Sequence, residues 1–221
     1  MPIEPPPSPW VFPPLDGADP DGPVAIGADL EPGTLLAAYR HGLFPMPVGR
    51  RGRLGWWSPD PRGVLPVEHF HRSRSLTRSM RHFELRLDTV FDTVVRSCGD
   101  PGRPHGWITP AIVAAYSRLH ELGWAHSIEI WHDGELAGGL YGINIGGFFA
   151  GESMFHHVTD ASKAAVAGLV EVMSDTPGAL IDVQWSTPHL ASLGVVEIPR
   201  STYLERLVAA VHATTPVALR S

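Results

Sequence analysis

Three runs between residues 126 and 155, HSIEIWH, ELAGGLYGI and GFFAGESMF, are rich in apolar and β-branched residues and are parted by Asp133-Gly134 and Gly146-Gly147. Dipeptides of the Asp-Gly type between such runs signal tight hairpins, so the stretch predicts three consecutive antiparallel strands. Further strands are predicted at 84–87 and at LIDVQW (180–185). Apolar residues at helical spacing predict helices at 33–42, 73–82, 88–98, 160–174, 187–193 and 201–212. Thr109-Pro110, an N-cap followed by proline in the first turn, starts another that runs to about Leu122. Residues 1 to about 25 read as an irregular arm rich in Pro, Gly and Asp. GLFPMPVGRRGRLGWWSPDPRGVL (42–65) reads as a long loop, and loops of that length without periodicity are usually functional. A boundary near Pro61 divides a small N-terminal domain, 1–61, from a larger one, 62–221. Helices packed on a sheet built largely of hairpins make a mixed α/β layer.

Within that frame the polar residues on apolar strands stand out. Side chains on a strand alternate, so Asp182 and Gln184 are expected to share one face, and Ile181, Val183 and Trp185 the other. A carboxylate on a buried sheet face costs free energy unless it is paired. Glu152, in GFFAGESMF, poses the same problem. A buried salt bridge would explain either acid alone. Two carboxylates with Gln184 instead suggest a polar cluster able to attract a cation or hold an amine.

RSLTRSMRH (74–82) places Arg74, Arg78, Arg81 and His82 at i, i+4, i+7 and i+8, one helical face, with Leu76, Met80 and Phe83 on another. No Asp or Glu interrupts that face. A solvated surface stripe and a phosphate-bearing ligand are both open readings. Trp107, in HGWIT before a helix start, reads either as core or as a stacking platform for a base.

Composition narrows the classes. The chain has 221 residues, 43% hydrophobic and 18% charged, enough for a real core. Its single cysteine, Cys98, rules out an internal disulfide and suits a reducing cytosol. MPIEPPPSPW is not a signal peptide, and no run of about 18 apolar residues suggests a membrane span. A net charge of −6 disfavours a protein that coats nucleic acid over its whole surface. There is no HExxH, no cysteine pair, no G-x-x-x-x-G-K-[ST] loop and no GxSxG elbow, so no metal or cofactor is expected and NTP hydrolysis is disfavoured.

GADLEPGTLLAAYRHGLFP, GWWSPDPRGVL, RSLTRSMRH, GWIT, AYSRLHELGWAHSIE, GGLYG, GESMF, ASK, LIDVQ, HLASLG and EIPR occur in this order from about residue 24 to 203. Together they resemble the leucyl/phenylalanyl-tRNA–protein transferases, bacterial enzymes of the N-end rule pathway. The resemblance implies a small N-terminal domain and an acetyltransferase-like (GNAT) domain with a mixed sheet flanked by helices. It implies transfer of Leu or Phe, with Met overlapping, from aminoacyl-tRNA to proteins beginning with Arg or Lys, in the cytoplasm and as a monomer. By the same resemblance Asp182, Gln184 and Glu152 are the catalytic group. Arg74, Arg78, Arg81 and His82 contact the tRNA acceptor stem. Trp107 supports the 3′ adenosine, and Tyr39, Leu140, Phe149, Met154, Leu169 and Ile181 form the aminoacyl and 3′-adenosine pocket. Met46 departs from the pattern, since the family commonly has an aromatic residue there.

These residues suggest that Asp182, held by Gln184, hydrogen-bonds the attacking amine while Glu152 orients the acceptor. The alternative is a CoA-dependent acetyltransferase, which needs an Arg/Gln-x-x-Gly-x-Gly/Ala pyrophosphate loop. HHVTDASK occupies the corresponding place.

Overall fold

A computed structural model describes residues 1–49, 52–102 and 106–220. The elements run in the order β1 (Pro23–Ile26), α1 (Pro32–Arg40), β2 (Phe44–Val48), β3 (Arg53–Trp57), β4 (Arg62–Leu65), α2 (Arg74–Ser79), β5 (Glu84–Leu87), α3 (Phe91–Cys98), α4 (Pro110–Glu121), β6 (Ala125–His132), β7 (Glu135–Ile145), β8 (Phe148–His156), α5 (Ala161–Met173), β9 (Leu180–Gln184), α6 (Pro188–Ala191), β10 (Val196–Ile198) and α7 (Arg200–Val211). The strands form two sheets: a small one ordered β1-β3-β2 and a seven-stranded one ordered β10-β4-β9-β8-β7-β6-β5. All neighbours in the large sheet are antiparallel except β8 and β9, which α5 joins as a crossover. This is the expected mixed sheet flanked by helices, beside a small N-terminal unit.

The hairpins β6-β7 and β7-β8 fall where the glycine turns predict them, with Gly134 and Gly146 at positive φ. Thr109 caps α4, its hydroxyl accepting from the Ile112 amide at 3.3 Å, and Ser73 caps α2 in the same way through Leu76 at 3.1 Å. The helix predicted at 73–82 is α only to Ser79 and then tightens into a 3-10 turn, Met80–His82.

The stretch 42–65 corrects the sequence reading. It is not one long loop: it holds β2, β3 and β4, the last inserted between β9 and β10 in the large sheet. Proline at 45 and 47 masks β2, and four residues are too few for β4 to show a period. Strand β10, three residues long, also escapes the pattern.

The large sheet buries both faces. One packs with α1, α3, α4 and α7 and includes Tyr39, Trp56, Phe91, Tyr116, Tyr141, Phe148 and Tyr203. The other packs under α5 and includes Leu140, Phe149, Leu169 and Ile181. Residues of the N-terminal unit (Leu35, Leu36, Phe44, Trp56) belong to the first core, so the small sheet and the large one share a single apolar interior. No helix among the described residues is long and apolar enough to cross a membrane.

Candidate active site

Strands β8 and β9 run side by side, with Ala150 opposite Asp182. On the other side of β8, Tyr141 pairs with Ser153 and Gly142 with Gly151, which leaves Glu152 as an extra, unpaired residue. Such a bulge breaks the alternation and re-aims a side chain. Glu152 thereby reaches Tyr39 of α1 and Tyr116 of α4, whose hydroxyls lie 2.7 Å from Oε1 and 3.0 Å from Oε2. The two hydroxyls also touch each other. Both hydroxyls donate to the carboxylate, which favours its ionised form.

Burial drives Glu152 the other way. It pushes the carboxyl up to about 7, with the negative charge of Asp182 adding to the rise, while the tyrosine hydroxyls and Arg62 hold it down. Glu152 is half-buried and lines a cavity of about 260 Å³. The apolar wall of that cavity is formed by Leu65, Leu140, Met154, Val166, Leu169 and Ile181, and Gln184 completes the polar side.

Asp182 lies in different surroundings. It is 0% exposed, and Arg62 grips it with Nε to Oδ1 at 2.9 Å and Nη2 to Oδ2 at 2.6 Å. The Tyr203 hydroxyl donates to Oδ2 at 3.0 Å, and the backbone N–H of Gln184 donates to Oδ1 at 2.9 Å. Arg62, itself buried, gives its Nη1 to the Gly42 carbonyl and lies over the rings of Phe44 and Tyr203. Burial opposes the charge on Arg62, but Asp182 outweighs it and pushes the guanidinium pKa up. The carboxylate of Asp182 is therefore fully occupied within the protein. The expected hydrogen bond from Asp182 to an attacking amine finds no free lone pair facing solvent.

The predicted common face for Asp182 and Gln184 does not hold either. Gln184 has φ of 61°, a left-handed backbone, and lines the cavity together with Ile181 and Val183, whereas Asp182 points to Arg62 and Tyr203. Alternation fails because the strand ends at Gln184. That side chain is 7% exposed, and its Nε2 is buried with no partner among the described residues. A buried donor left unpaired costs about 1–3 kcal/mol, so this amide is poised for an acceptor that a ligand would bring.

The predicted pocket residues divide. Leu140, Met154, Leu169 and Ile181 line the cavity. Phe149 is fully buried in the core beneath α5, and Tyr39 reaches the site through Glu152. Trp107 is half-buried at the margin of the first core and is not among the lining residues. Arg74, Arg78, Arg81 and His82 are all exposed, and none forms an ion pair among the described residues. Sequence reasoning passed over Arg62, Tyr116 and Tyr203. Arg62 stands inside the quoted WWSPDPR and Tyr116 inside AYSRLH, so the signal was a motif with no chemistry yet attached. Among the described residues no group of three or more His, Cys, Asp or Glu could hold a metal.

Comparison with known proteins shows the family. The profile of the leucyl/phenylalanyl-tRNA protein transferase family matches residues 64–208, and that of the family's N-terminal domain matches 28–60. The leucyl/phenylalanyl-tRNA–protein transferase of Thiobacillus denitrificans is 49% identical over 207 residues, covering 91% of this chain and 90% of its own. That of Aromatoleum aromaticum is 50% identical over 206 residues, covering 88% and 86%. Syntrophotalea carbinolica has one 46% identical over 211 residues, covering 93% and 91%. Among solved structures, L-PGS from Bacillus licheniformis superposes loosely, with a TM-score of 0.39 at 10% identity over 73% of this chain and 55% of that one. With near half of its residues identical to such relatives over nine-tenths of its length, and with the family's profiles matching both of its parts, the chain belongs to the leucyl/phenylalanyl-tRNA–protein transferase family.

Proposed function

We propose that this protein transfers Leu or Phe, with Met as an overlapping donor, from aminoacyl-tRNA to the α-amine of proteins beginning with Arg or Lys, marking them for N-end rule degradation. The observation that carries this reading is the cavity between β8, β9 and α5, walled mostly by apolar side chains, with Glu152, Ser153, Gln184 and Thr187 as its polar lining. The transferred side chain occupies the apolar part, which puts the ester carbonyl at the polar part. Such a wall separates side chains differing by one methylene by only about 1–3 kcal/mol, so unbranched and γ-branched donors overlap.

The acceptor amine, with an ordinary pKa of about 7.7–8, is partly neutral at pH 7. Its nitrogen attacks the ester carbon and a C–N bond forms. The carboxylate form of Glu152 takes the proton released from nitrogen. As the C–O bond to the ribose breaks, Glu152 returns that proton to the departing ribose oxygen and is regenerated. Gln184, with its unpaired amide, donates to the carbonyl oxygen as negative charge gathers there. Asp182 acts at one remove: held by Arg62, it accepts from the backbone N–H of Gln184 and so fixes the left-handed turn that aims Gln184 into the cavity. The exposed stripe Arg74, Arg78, Arg81 and His82 meets the acceptor-stem phosphates. That contact is salt-sensitive and largely independent of sequence.

The test is transfer of labelled Leu from Leu-tRNA to peptides beginning with Arg, Lys or Ala. Labelling confined to the Arg and Lys peptides supports the reading. A folded wild-type protein that labels none of them, or one that acetylates them from acetyl-CoA, overturns it.

A further inference from the structure

Strand β9 ends at Gln184, and the next residue, Trp185, is 39% exposed. Of the large hydrophobic side chains left exposed among the described residues, only Trp10 and Trp185 are aromatic, and Trp10 belongs to the N-terminal arm, where Asp29 holds its indole N–H. The exposed indole of Trp185 is not loose. Phe44 meets it edge-on, with centroids 5.0 Å apart and planes at 90°, and Trp57 meets it at 6.3 Å and 67°. Trp57 is itself fixed by its indole N–H to the Met46 carbonyl at 3.1 Å. The backbone is pinned as well. The Trp185 amide donates to the Val183 carbonyl at 2.8 Å, and the chain crosses so close to Gly63 that a Cβ there would lie 2.8 Å from the Trp185 carbonyl carbon. A large aromatic side chain is thus held rigid, part of its surface open to solvent, one residue from the amide that lines the cavity.

We propose that Trp185 is the surface on which the terminal nucleobase of the aminoacyl donor stacks, a positioning residue for the transfer. This rests on the function proposed above. With the amino-acid side chain in the cavity and the ester at Gln184, the base lies one ribose away and outside the cavity, the place a rigid exposed indole occupies. Charge favours a nucleotide over the acceptor's cationic side chain. From residue 32 to residue 59, the segment supplying both Phe44 and Trp57, there are four arginines and no Asp or Glu. One of them, Arg53, begins β3 and is exposed. Arg40 is held by Glu4 at 2.7 Å, whereas Arg53 has no carboxylate partner among the described residues, and such a free cation suits a chain of phosphates and repels Arg or Lys.

The experiment measures KM separately for donor and acceptor, with phenylalanyl-adenosine and Phe-tRNA as donors and an Arg-initiated peptide as acceptor, in wild type, Trp185→Ala, Trp185→Leu and Trp185→Phe. Loss of the stacking face raises the donor KM on the order of ten-fold in the Ala and Leu variants. Trp185→Phe recovers most of it, and the peptide KM stays within two-fold. Trp185→Leu keeps the apolar bulk, so it serves if the Ala variant unfolds. A donor KM within two-fold of wild type in the Leu variant overturns the proposal. So does a rise in peptide KM alone, which would assign the ring to the acceptor's cation. Failure of the wild type to use either donor would instead strike the function proposed above, and the two failures are told apart in one plate.

Discussion

Replacing Glu152 by Gln separates the proton-accepting role from the shape of the site. The substitution keeps the size and the contacts to Tyr39 and Tyr116 but cannot ionise. In the folded protein the carboxyl titrates at about 7 against an ordinary 4.5. A carboxyl raised on folding adds no penalty while it is protonated in both states, below its unfolded value. The folded state then loses stability as pH climbs, up to and through the folded value. Between pH 5 and pH 8 that loss amounts to about 2.5 kcal/mol. At roughly 2–4 °C per kcal/mol for a protein of this size, the melting temperature of Glu152→Gln should gain about 5–10 °C on wild type across that interval. Activity should move in the opposite sense. Single-turnover transfer to an Arg peptide should rise through an apparent pKa near 7 in wild type, as the carboxylate appears. It should lie on the order of a hundred-fold lower in the variant, which keeps only the later rise of the acceptor amine at about 7.7–8. A melting difference that does not change with pH, or a variant keeping the same limb at more than a tenth of the wild-type rate, refutes the assignment.

Three further outcomes are expected. Arg62→Met leaves Asp182 buried and unpaired and should destabilise the fold by about 3–5 kcal/mol in urea denaturation, whereas Arg62→Met with Asp182→Leu should recover part of the loss. Leu140→Phe, which adds bulk to a wall of the cavity, should cut use of Phe-tRNA at least ten-fold relative to Leu-tRNA in a competition assay. Arg78→Glu with Arg81→Glu should raise the KM for Leu-tRNA and make the dependence of log affinity on log salt shallower by about 2. Phenylalanyl-adenosine, which lacks the acceptor stem, should be used as by wild type.

Much of the architecture was legible because its signals are local. Asp133-Gly134 fixes a hairpin by itself, and Thr109-Pro110 starts α4 by chemistry contained in three residues. β2 and β4 were not legible, since prolines at 45 and 47 and a length of four residues remove the period that marks a strand. The site divides along the same line. Two acids and a glutamine inside apolar strands announced a polar cluster. Their partners did not, because Arg62 reaches Asp182 across 120 positions and Tyr39 reaches Glu152 across 113. Nor can alternation foresee that a bulge turns Glu152 to the tyrosines, or that a left-handed Gln184 parts company with Asp182. Pairing was the right question for both acids, and distant segments supplied both answers.

The reach of Tyr39 from α1 to Glu152 bears on how such a protein can be taken apart or recombined. One of the two hydroxyls that hold the carboxyl pKa down against burial comes from the N-terminal unit and the other, Tyr116, from the larger one. The seam between the units therefore runs through the hydrogen bonds that hold Glu152. A fragment lacking the first 61 residues would lose half of that hydroxyl pair along with the Gly42 and Phe44 contacts to Arg62. A chimera joining N-terminal and C-terminal units from different relatives would inherit a new pH optimum wherever the two tyrosines no longer meet.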